Sequence, residues 1–376
     1  MKTKPALLSL VLFVPLLTSW IPARLPVSIL EVGSFTLALL CLLHPERPRF
    51  SPLLIPLGIA VLCGLLQLAF HRTLSTSNTA HATLAWSAHL ALVFAVLQLT
   101  RGETFLRYLL YFGFALCVLA TLQTFTSPGK VFWLFPVTDP IFLMGPFLYH
   151  SHYAAFIELL LPLALFPAIQ NPGKRLRYSL MAGAMVASVI ASATRGGFLV
   201  IVLEIVAILA LCSWRESGPA LISILLLTGA LTAIVGWESL AHRFEEKSYF
   251  DFGRAEMLKS SVDMIRDRPW AGVGLGNWPA AYPAYARYDD GLIANQAHND
   301  WAQWTAEGGI TLLAAMFWVF ALAIRQARRT LLCIGPVFVL LHAGIDYQFQ
   351  KPQIAALAFT LMAIDTRPPG RRTQSG

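Results

Sequence analysis

The sequence contains little charge for its length. Only 13% of its 376 residues are Asp, Glu, Lys or Arg, whereas 56% are hydrophobic. Soluble domains carry about 25% charged residues, so this deficit excludes a soluble multidomain protein. Apolar runs of about 20 residues recur along the chain and predict an all-α membrane protein that crosses the bilayer many times.

The sequence also lacks any clustering of cysteine. Its five cysteines lie singly in apolar segments, and none has the CxxC spacing of a metal site. No disulfide framework is expected, because single buried cysteines behave as small hydrophobic residues. The N-terminus, MKTKPALLSLVLFVPLL, is similar in composition to a signal peptide but has no clear cleavage site, so it is expected to remain as a first span.

Twelve transmembrane spans are predicted from the hydrophobic runs. They are 6–21, 26–43, 52–70, 80–99, 104–125, 153–170, 178–194, 197–213, 219–236, 304–324, 330–347 and 352–366. Lys and Arg concentrate in the loops on the side of the N-terminus, so the positive-inside rule places both termini in the cytoplasm. The net charge of +8 is therefore a topology signal and not a nucleic-acid footprint.

These spans divide the chain into three parts. Residues 1–236 carry spans one to nine, residues 237–303 form a long periplasmic loop with helical segments, and residues 304–376 carry the last three spans and a short cytoplasmic tail. A second outer segment, 126–152, is aromatic but contains four prolines, so it is expected to lie in the interface or to re-enter the membrane.

The segment 126–152 ends at His150 and His152, just before the sixth span. Histidines at positions i and i+2 do not share a helical face, and no carboxylate lies beside them. A metal site is therefore disfavoured against an interfacial cap or a polar wall for a substrate.

Arg195 lies in the motif SATRGGFL, at the outer turn between two predicted spans. An arginine at a membrane boundary can act as an interfacial anchor. Acidic lipids concentrate on the cytoplasmic side, however, and do not explain an outward arginine. A guanidinium suits phosphate and the two following glycines allow close approach, so a bound diphosphate is the alternative.

The longest polar interval, residues 251–309, contains Arg254 at the start of an apolar stripe with helical spacing. The stripe consists of Ala255, Leu258, Val262 and Ile265. The pattern predicts a helix on the outer surface with Arg254 in its first turn, where a cation is unfavourable unless it faces an anion. The alternative is a salt bridge to Glu245, Glu246 or Asp251.

Further along this interval, Arg266 and Arg268 flank Asp267, which is typical of a helix end with solvated charges; a ligand role is the alternative. The motif WAGVGLGNW at 270–278 has the wrong spacing for a dinucleotide fingerprint. Its glycines predict a tight turn that brings the backbone close to a neighbour or a ligand.

His298 lies in QAHNDWAQWTAEGGI, at the start of the tenth predicted span and facing outward. A lone histidine at such a place is usually an interface residue. Here Asn299, Asp300 and Glu307 offer orienting partners. A neutral histidine so placed can take a proton from a hydroxyl, as a general base near neutral pH does.

Two acidic residues lie inside or at the edge of predicted spans, where acids are functional candidates. For Glu204, the alternative to a functional role is that it pairs with a polar neighbour. Asp346 lies at the outer end of the eleventh span, on the side of His298, and is expected to share a helical face with His342.

Several stretches together resemble the O-antigen ligase and polymerase superfamily of bacterial membrane glycosyltransferases. They are GPFLYHSHYAAFIELLLPLAL, TRGGFL, GR…RDRPWAGVGLGNW with the following AHNDWAQWTAEGGI, and HAGIDYQFQKPQIAALAF. The resemblance implies a polyprenyl (undecaprenyl) diphosphate-linked glycan donor, catalysis on the periplasmic face of the inner membrane, and no metal or nucleotide cofactor. It implies that Arg195 and Arg254 bind the donor diphosphate and that His298 activates the acceptor hydroxyl. Supporting residues are expected at Asn299, Glu307, Asp346, Arg266 and His152.

Within this superfamily the favoured reaction is ligation of O-antigen to lipid A core, in lipopolysaccharide biosynthesis. Polymerisation of O-antigen or exopolysaccharide repeat units is the alternative, and the short tail after Asp365 disfavours transfer to protein. A transporter of lipid-linked sugars is a different class. It would need charged or discontinuous helices near mid-membrane and is often built from internal repeats, whereas no repeat stands out here.

Overall fold

The computed structural model describes residues 4–22, 24–43, 48–98, 102–138, 143–236, 238, 241–242, 249–287 and 293–364. This part of the chain is all-α apart from one small hairpin, in which β1 (Lys130–Val131) pairs antiparallel with β2 (Phe135–Pro136). The hairpin lies in the segment 126–152, where prolines prevent a continuous helix.

The helices before the long polar interval are α1 (Lys4–Leu17), α2 (Leu25–Leu42), α3 (Leu54–Ala69), α4 (Thr76–Leu97), α5 (Gly102–Thr126), α6 (His150–Gln170), α7 (Arg175–Ala191), α8 (Arg195–Leu211) and α9 (Trp214–Val235). Those within and after it are α10 (Tyr249–Asp267), α11 (Trp278–Tyr285), α12 (Asp300–Ala327), α13 (Gly335–His342) and α14 (Pro352–Ala363). Short 3-10 turns lie at Pro172–Lys174, Leu331–Cys333 and Gln348–Gln350. The predicted helical content of the loop 237–303 is confirmed by α10 and α11 in its described part.

Helix α6 lies at the centre of the bundle. Almost all of its residues are buried, and it packs against α5, α7, α8, α9, α13 and α14. Small residues such as Ala154 and Ala164 allow these neighbours to approach closely. The N-terminus of α6, at His150, is therefore held in place by several helices at once.

Each of the twelve predicted spans overlaps a helix, but the helices differ in length. Six are long and apolar enough to cross a membrane, namely Leu25–Leu42, Thr76–Leu97, Gly102–Thr126, His150–Gln170, Ser217–Ile234 and Asp300–Ala327. Shorter apolar helices lie at Pro5–Leu17, Leu54–Ala69, Leu331–His342 and Pro352–Ala363. The number of twelve spans, the orientation and the three-part division stay predictions.

The eleventh predicted span, 330–347, is wrong as one continuous helix. It consists of a 3-10 turn, the eight-residue helix α13 and a turn that begins after His342. Eight residues of α-helix rise only about 12 Å, less than half of the hydrocarbon core. The Asp346 amide still donates to the His342 carbonyl (3.1 Å), but the two side chains do not share a helical face, because Asp346 lies beyond the helix end.

The helix predicted from the apolar stripe is confirmed as α10, but the stripe is not the buried face of this helix. Leu258 and Val262 are 40% and 36% exposed, whereas Ser260, Ser261 and Met264 are fully buried. The serines face inward because they hydrogen-bond across the interface: Ser260 donates to the Tyr285 carbonyl (2.9 Å), and Ser261 accepts from the Trp278 indole (2.8 Å). Two serines and Met264 thus lie on the contact face, whereas Leu258 and Val262 of the apolar stripe point outward.

Candidate active site

Four segments that are distant in sequence meet beside the first turn of α12. They are the residue before α6, the second turn of α10, the loop before α12 and the turn after α13. Each contributes one polar side chain, and these side chains are Tyr149, Arg254, His298 and Asp346.

The carboxylate of Asp346 connects the other three groups. Its Oδ1 accepts from His298 Nδ1 (3.1 Å) and from the Tyr347 amide (3.0 Å). Its Oδ2 accepts from the Tyr149 hydroxyl (3.2 Å) and lies 3.6 Å from Arg254 Nη2. The side chain is only 5% exposed, so these neighbours replace water around the charge.

His298 is held by its backbone as well as by Asp346. Its φ of 50° lies in the left-handed region, which is strained for a residue with a side chain and is common at functional sites. A carboxylate only accepts hydrogen bonds, so the Asp346 contact places the proton on Nδ1 of the neutral imidazole. This leaves Nε2 as the basic nitrogen of a side chain that is 23% exposed.

Arg254 occupies the second turn of α10, because the helix begins at Tyr249 and not at Arg254 as predicted. The helix-terminus argument for an anion therefore does not apply. Of the predicted acidic partners, Glu245, Glu246 and the Asp251 side chain lie outside the described residues. Arg254 Nη2 donates to the Tyr149 hydroxyl (2.8 Å), and the side chain is 36% exposed.

Electrostatics keep the Asp346 carboxyl ionised. Burial by itself would raise the pKa of Asp346, but the hydrogen bond from His298 and the charge of Arg254 outweigh it and hold the pKa well below its usual range. Burial, together with the Asp346 carboxylate, raises the pKa of Tyr149 well above 10, so its hydroxyl stays protonated. Tyr149 can therefore accept from Arg254 and donate to Asp346 at the same time.

Two tyrosine rings support this polar group. The rings of Tyr149 and Tyr347 are stacked with centroids 5.5 Å apart. The imidazole of His298 packs edge-on against Tyr347 (4.6 Å) and more loosely against Tyr149 (6.2 Å). Edge-to-face contacts are a preferred arrangement of aromatic rings, so they favour this orientation of the imidazole.

Arg195 is the first residue of α8, in agreement with the turn predicted between two apolar spans. Thr194 caps the helix by accepting from the Gly197 amide (3.4 Å). The Ser192 carbonyl contacts His150 Nδ1 (2.8 Å), which ties this turn to the start of α6. A Cβ on Gly197 would lie 2.3 Å from the Ala154 Cβ, so TRGG allows the first turn of α8 to sit directly on α6.

Two of the predicted supporting residues lie beside the site. Asn299 is the N-cap of α12: it accepts from the Ala302 amide (2.9 Å) and donates to the Gly344 carbonyl (2.7 Å), which joins the His298 loop to the turn of Asp346. His152 is buried, contacts the Tyr347 carbonyl through Nε2 (3.3 Å) and packs edge-on against the Tyr347 ring (4.8 Å).

The structure does not bring Glu307 or Arg266 to His298. The Glu307 carboxylate accepts from the Gly276 amide (2.9 Å) and the Trp278 amide (3.2 Å), so it caps the start of α11. Arg266 is 74% exposed and lies 3.5 Å from Asp263. The acid and the cation that the sequence offered as possible supporting residues therefore have other partners.

The predicted glycine turn is confirmed. Gly272, Gly274 and Gly276 all have positive φ values of 66°, 103° and 71°. A Cβ on Gly272 would lie 2.3 Å from the Glu307 carbonyl oxygen, and one on Gly274 would lie 2.2 Å from the Thr73 hydroxyl. The turn brings the backbone close to neighbouring protein segments.

Sequence reasoning missed Tyr149 and Tyr347. Both lie outside periodic helix, so no apolar pattern identifies them. The available signal was their position: each is an aromatic residue with a hydroxyl, next to an expected site residue at a predicted helix end.

Together these groups could accept a proton from a substrate and bind an anionic group of a substrate beside it. His298 Nε2 is a base held by a carboxylate, and Arg254 is a partly exposed guanidinium on the other side of that carboxylate. Among the described residues, no three His, Cys, Asp or Glu side chains converge as metal ligands.

The sequence was compared with known proteins. The family model described as O-antigen ligase matches residues 180–317, which include Arg195, Arg254 and His298. No curated protein matches the chain. With its apolar helices, the match indicates a membrane glycosyltransferase of the ligase or polymerase type. The match over residues 180–317 confirms the resemblance to the O-antigen ligase superfamily.

Proposed function

We propose that the protein transfers a glycan from a polyprenyl diphosphate donor to an acceptor hydroxyl on the periplasmic face of the bacterial inner membrane. The favoured acceptor is lipid A core. The observation that carries this proposal is the group His298–Asp346–Tyr149–Arg254, which combines a held base with an adjacent cation.

In the proposed reaction, His298 Nε2 takes the proton of the acceptor hydroxyl. The acceptor oxygen then forms a bond to the anomeric carbon of the donor sugar, and the bond between that carbon and the diphosphate oxygen breaks. Asp346 stabilises the imidazolium that results and keeps its ring in place, as the carboxylate does in other histidine-dependent sites.

The leaving diphosphate carries the electron pair of the broken bond. Arg254 and Arg195 would stabilise this charge through guanidinium forks, which match phosphate oxygens. Arg254 is oriented by Tyr149, and Arg195 by the capped first turn of α8. We propose that no metal is needed, because the arginines take the role that a divalent ion has in many other transferases.

The test is a reconstituted assay. Purified protein in EDTA is mixed with a polyprenyl diphosphate-linked glycan, with lipid A core present or absent. Glycan on the core supports the ligase. Longer chains on the carrier without the core support the polymerase. No release of polyprenyl diphosphate in either mixture, with a donor confirmed as native, would refute the transferase and reopen the transporter.

Two variants make this assay specific for the site. His298→Ala should abolish release of polyprenyl diphosphate. His71→Ala is the matched control, because His71 is an exposed histidine with nearly the same φ, 53°, at the end of α3. Equal turnover of the two variants would contradict the assignment of His298 as base.

A further inference from the structure

A buried chain of polar side chains lies next to the site, inside the bundle. Glu158 Oε1 contacts His342 Nδ1 at 2.7 Å. His342 Nε2 lies 3.3 Å from the Ser151 hydroxyl, which accepts from Gln348 Nε2 (2.8 Å). All four side chains are at most 2% exposed. The chain joins α6, α13 and the 3-10 turn Gln348–Gln350.

The burial of Glu158 and His342 between α6 and α13 calls for an explanation. Polar groups inside a membrane helix bundle are costly and are usually functional. The pair does not touch His298, and Glu158 lies two turns along α6 from its start. Proton transfer from the acceptor therefore does not require it.

His342 lies between the first turn of α8 and the turn that carries Asp346, and this position explains the buried pair. A Cβ on Gly196 would lie 3.3 Å from His342 Nε2 and 3.2 Å from Ile345 Cδ1, so the first turn of α8 rests on the imidazole. On the other side, the His342 carbonyl accepts from the Asp346 amide (3.1 Å). The His342 ring thus faces the helix turn that begins with Arg195, and the His342 backbone carbonyl holds the turn that carries Asp346, whose Ile345 also faces Gly196.

We propose that the Glu158–His342 pair is a positioning device for donor binding. Glu158 fixes the imidazole, and the imidazole sets the distance between Arg195 and the Asp346–Arg254 group, so that both guanidinium groups reach the same diphosphate. This rests on the proposed function, in which Arg195 binds the donor. His342 and Glu158 act through Arg195 and are not catalytic residues.

A double-mutant cycle tests the device. His342→Ala, Arg195→Ala and the double variant are assayed in single turnover, with donor and acceptor varied separately. A misplacement of about 1 Å can cost roughly a hundredfold in rate, so His342→Ala should lower kcat/KM for the donor by about ten- to a hundredfold. The KM for the acceptor should not change. In the Arg195→Ala background, the His342 substitution should add less than about twofold, because coupled residues are not additive.

His89→Ala is the matched control for loss of a buried imidazole. His89 lies in α4, is 4% exposed and packs against Phe359, away from Arg195. It should give the same donor loss in both Arg195 backgrounds. If His342→Ala also gives equal losses in both backgrounds, its role is structural only and the proposal is overturned.

Gly196→Ala keeps the proposal testable if His342→Ala does not fold. The added methyl group meets His342 Nε2 and Ile345 while every polar contact remains, so it should push the first turn of α8 outward by a few tenths of an ångström. We expect a lower kcat/KM for the donor, and no further loss when Arg195 is already alanine. Wild-type donor kinetics in Gly196→Ala would overturn the proposal.

These outcomes are distinct from failure of the proposed function. If Arg195→Ala alone keeps wild-type turnover, the donor site itself is wrong. If Arg195→Ala is impaired and the His342 substitution multiplies the loss, the donor site stands and only the positioning device fails.

Discussion

Two polar networks border the first turns of α12, and they differ in what their charged groups contact. One is centred on Glu307, whose carboxylate oxygens accept from the Gly276 and Trp278 amides and the Gln303 amide group. The other is centred on Asp346, which contacts His298, Tyr149 and Arg254. In the sequence, each of these two acids lies in a stretch that resembles the superfamily, and nothing local distinguishes them.

The polar groups of the Glu307 network are hydrogen-bonded to other protein groups. Gln67 donates to the Ala271 and Glu307 carbonyls and accepts from the Leu275 amide (2.9 Å), so both ends of its amide are used. Gly309 has a φ of 67° and no room for a Cβ, because the Trp270 carbonyl oxygen would lie 2.2 Å away. The glycine turn and the EGG motif thus fit each other, and their polar groups have protein partners.

The Asp346 network is open toward solvent. His298 contacts Asp346 through Nδ1, and its side chain is 23% exposed. The Arg254 side chain is 36% exposed, although the same buried carboxylate orients both residues. A charged group that is held in place but partly exposed can act on a substrate. A charged group that is enclosed by backbone amides stabilises the fold. The following predictions separate the two networks.

The largest effect is expected for His298→Ala. Loss of a general base costs about 10²- to 10⁴-fold in rate, and the folded protein should be as abundant as wild type because His298 is partly exposed. Release of polyprenyl diphosphate and detergent melting temperature measure the two quantities. A variant with a lower melting temperature but the wild-type rate per folded molecule would show that His298 stabilises the fold and is not the base.

Arg254→Ala should follow, with a loss of about 10²- to 10³-fold in kcat from the missing charge at the leaving diphosphate. Arg266→Ala is the control, since Arg266 lies on the same helix but is exposed beside Asp263. It should stay within about twofold of wild type, because an exposed ion pair contributes roughly 0–1 kcal/mol. Equal losses in both variants would indicate a general effect of charge on α10.

Glu307→Ala should affect stability and not rate. It leaves the Gly276 and Trp278 amides without their acceptor, at about 1–3 kcal/mol for each buried donor. We expect a lower melting temperature and less folded protein, with the rate per folded molecule unchanged. The control Glu103→Ala removes an exposed acid from the first turn of α5 and should melt near wild type. Loss of rate in fully folded Glu307→Ala would return Glu307 to the catalytic group.

Within the Asp346 network, the smallest effect on rate is expected for Tyr149→Phe. It removes one hydroxyl that accepts from Arg254 and donates to Asp346, while both rings remain stacked. Because a hydrogen bond to a charged group contributes about 1.5–3 kcal/mol, kcat/KM should fall by roughly ten- to a hundredfold. Donor titration in single turnover measures it. Unchanged kinetics would show that Asp346 alone orients Arg254.

The apolar runs of the sequence predicted where most helices lie, because burying about 20 apolar residues in a bilayer is a local property. The helix turn at Arg195, the start of α12 after His298 and the positive φ of the glycine turn were also predictable, since caps and glycine conformations depend on neighbouring residues. The division of 330–347 was not, because its short helix and turns are stabilised by contacts such as that of Asn299 with the Gly344 carbonyl.

Only the tertiary structure decided which polar residues meet. Tyr149 and Asp346 are 197 residues apart in sequence, yet their side chains share a hydrogen bond. The buried face of α10 was likewise decided by its partners on α11, where Trp278 and Tyr285 hydrogen-bond two serines, while Leu258 and Val262 of the apolar stripe stay exposed. The sequence by itself determined the helices and the residue types of the site. Which acid holds His298 depends on distances between helices, and no local pattern encodes those distances.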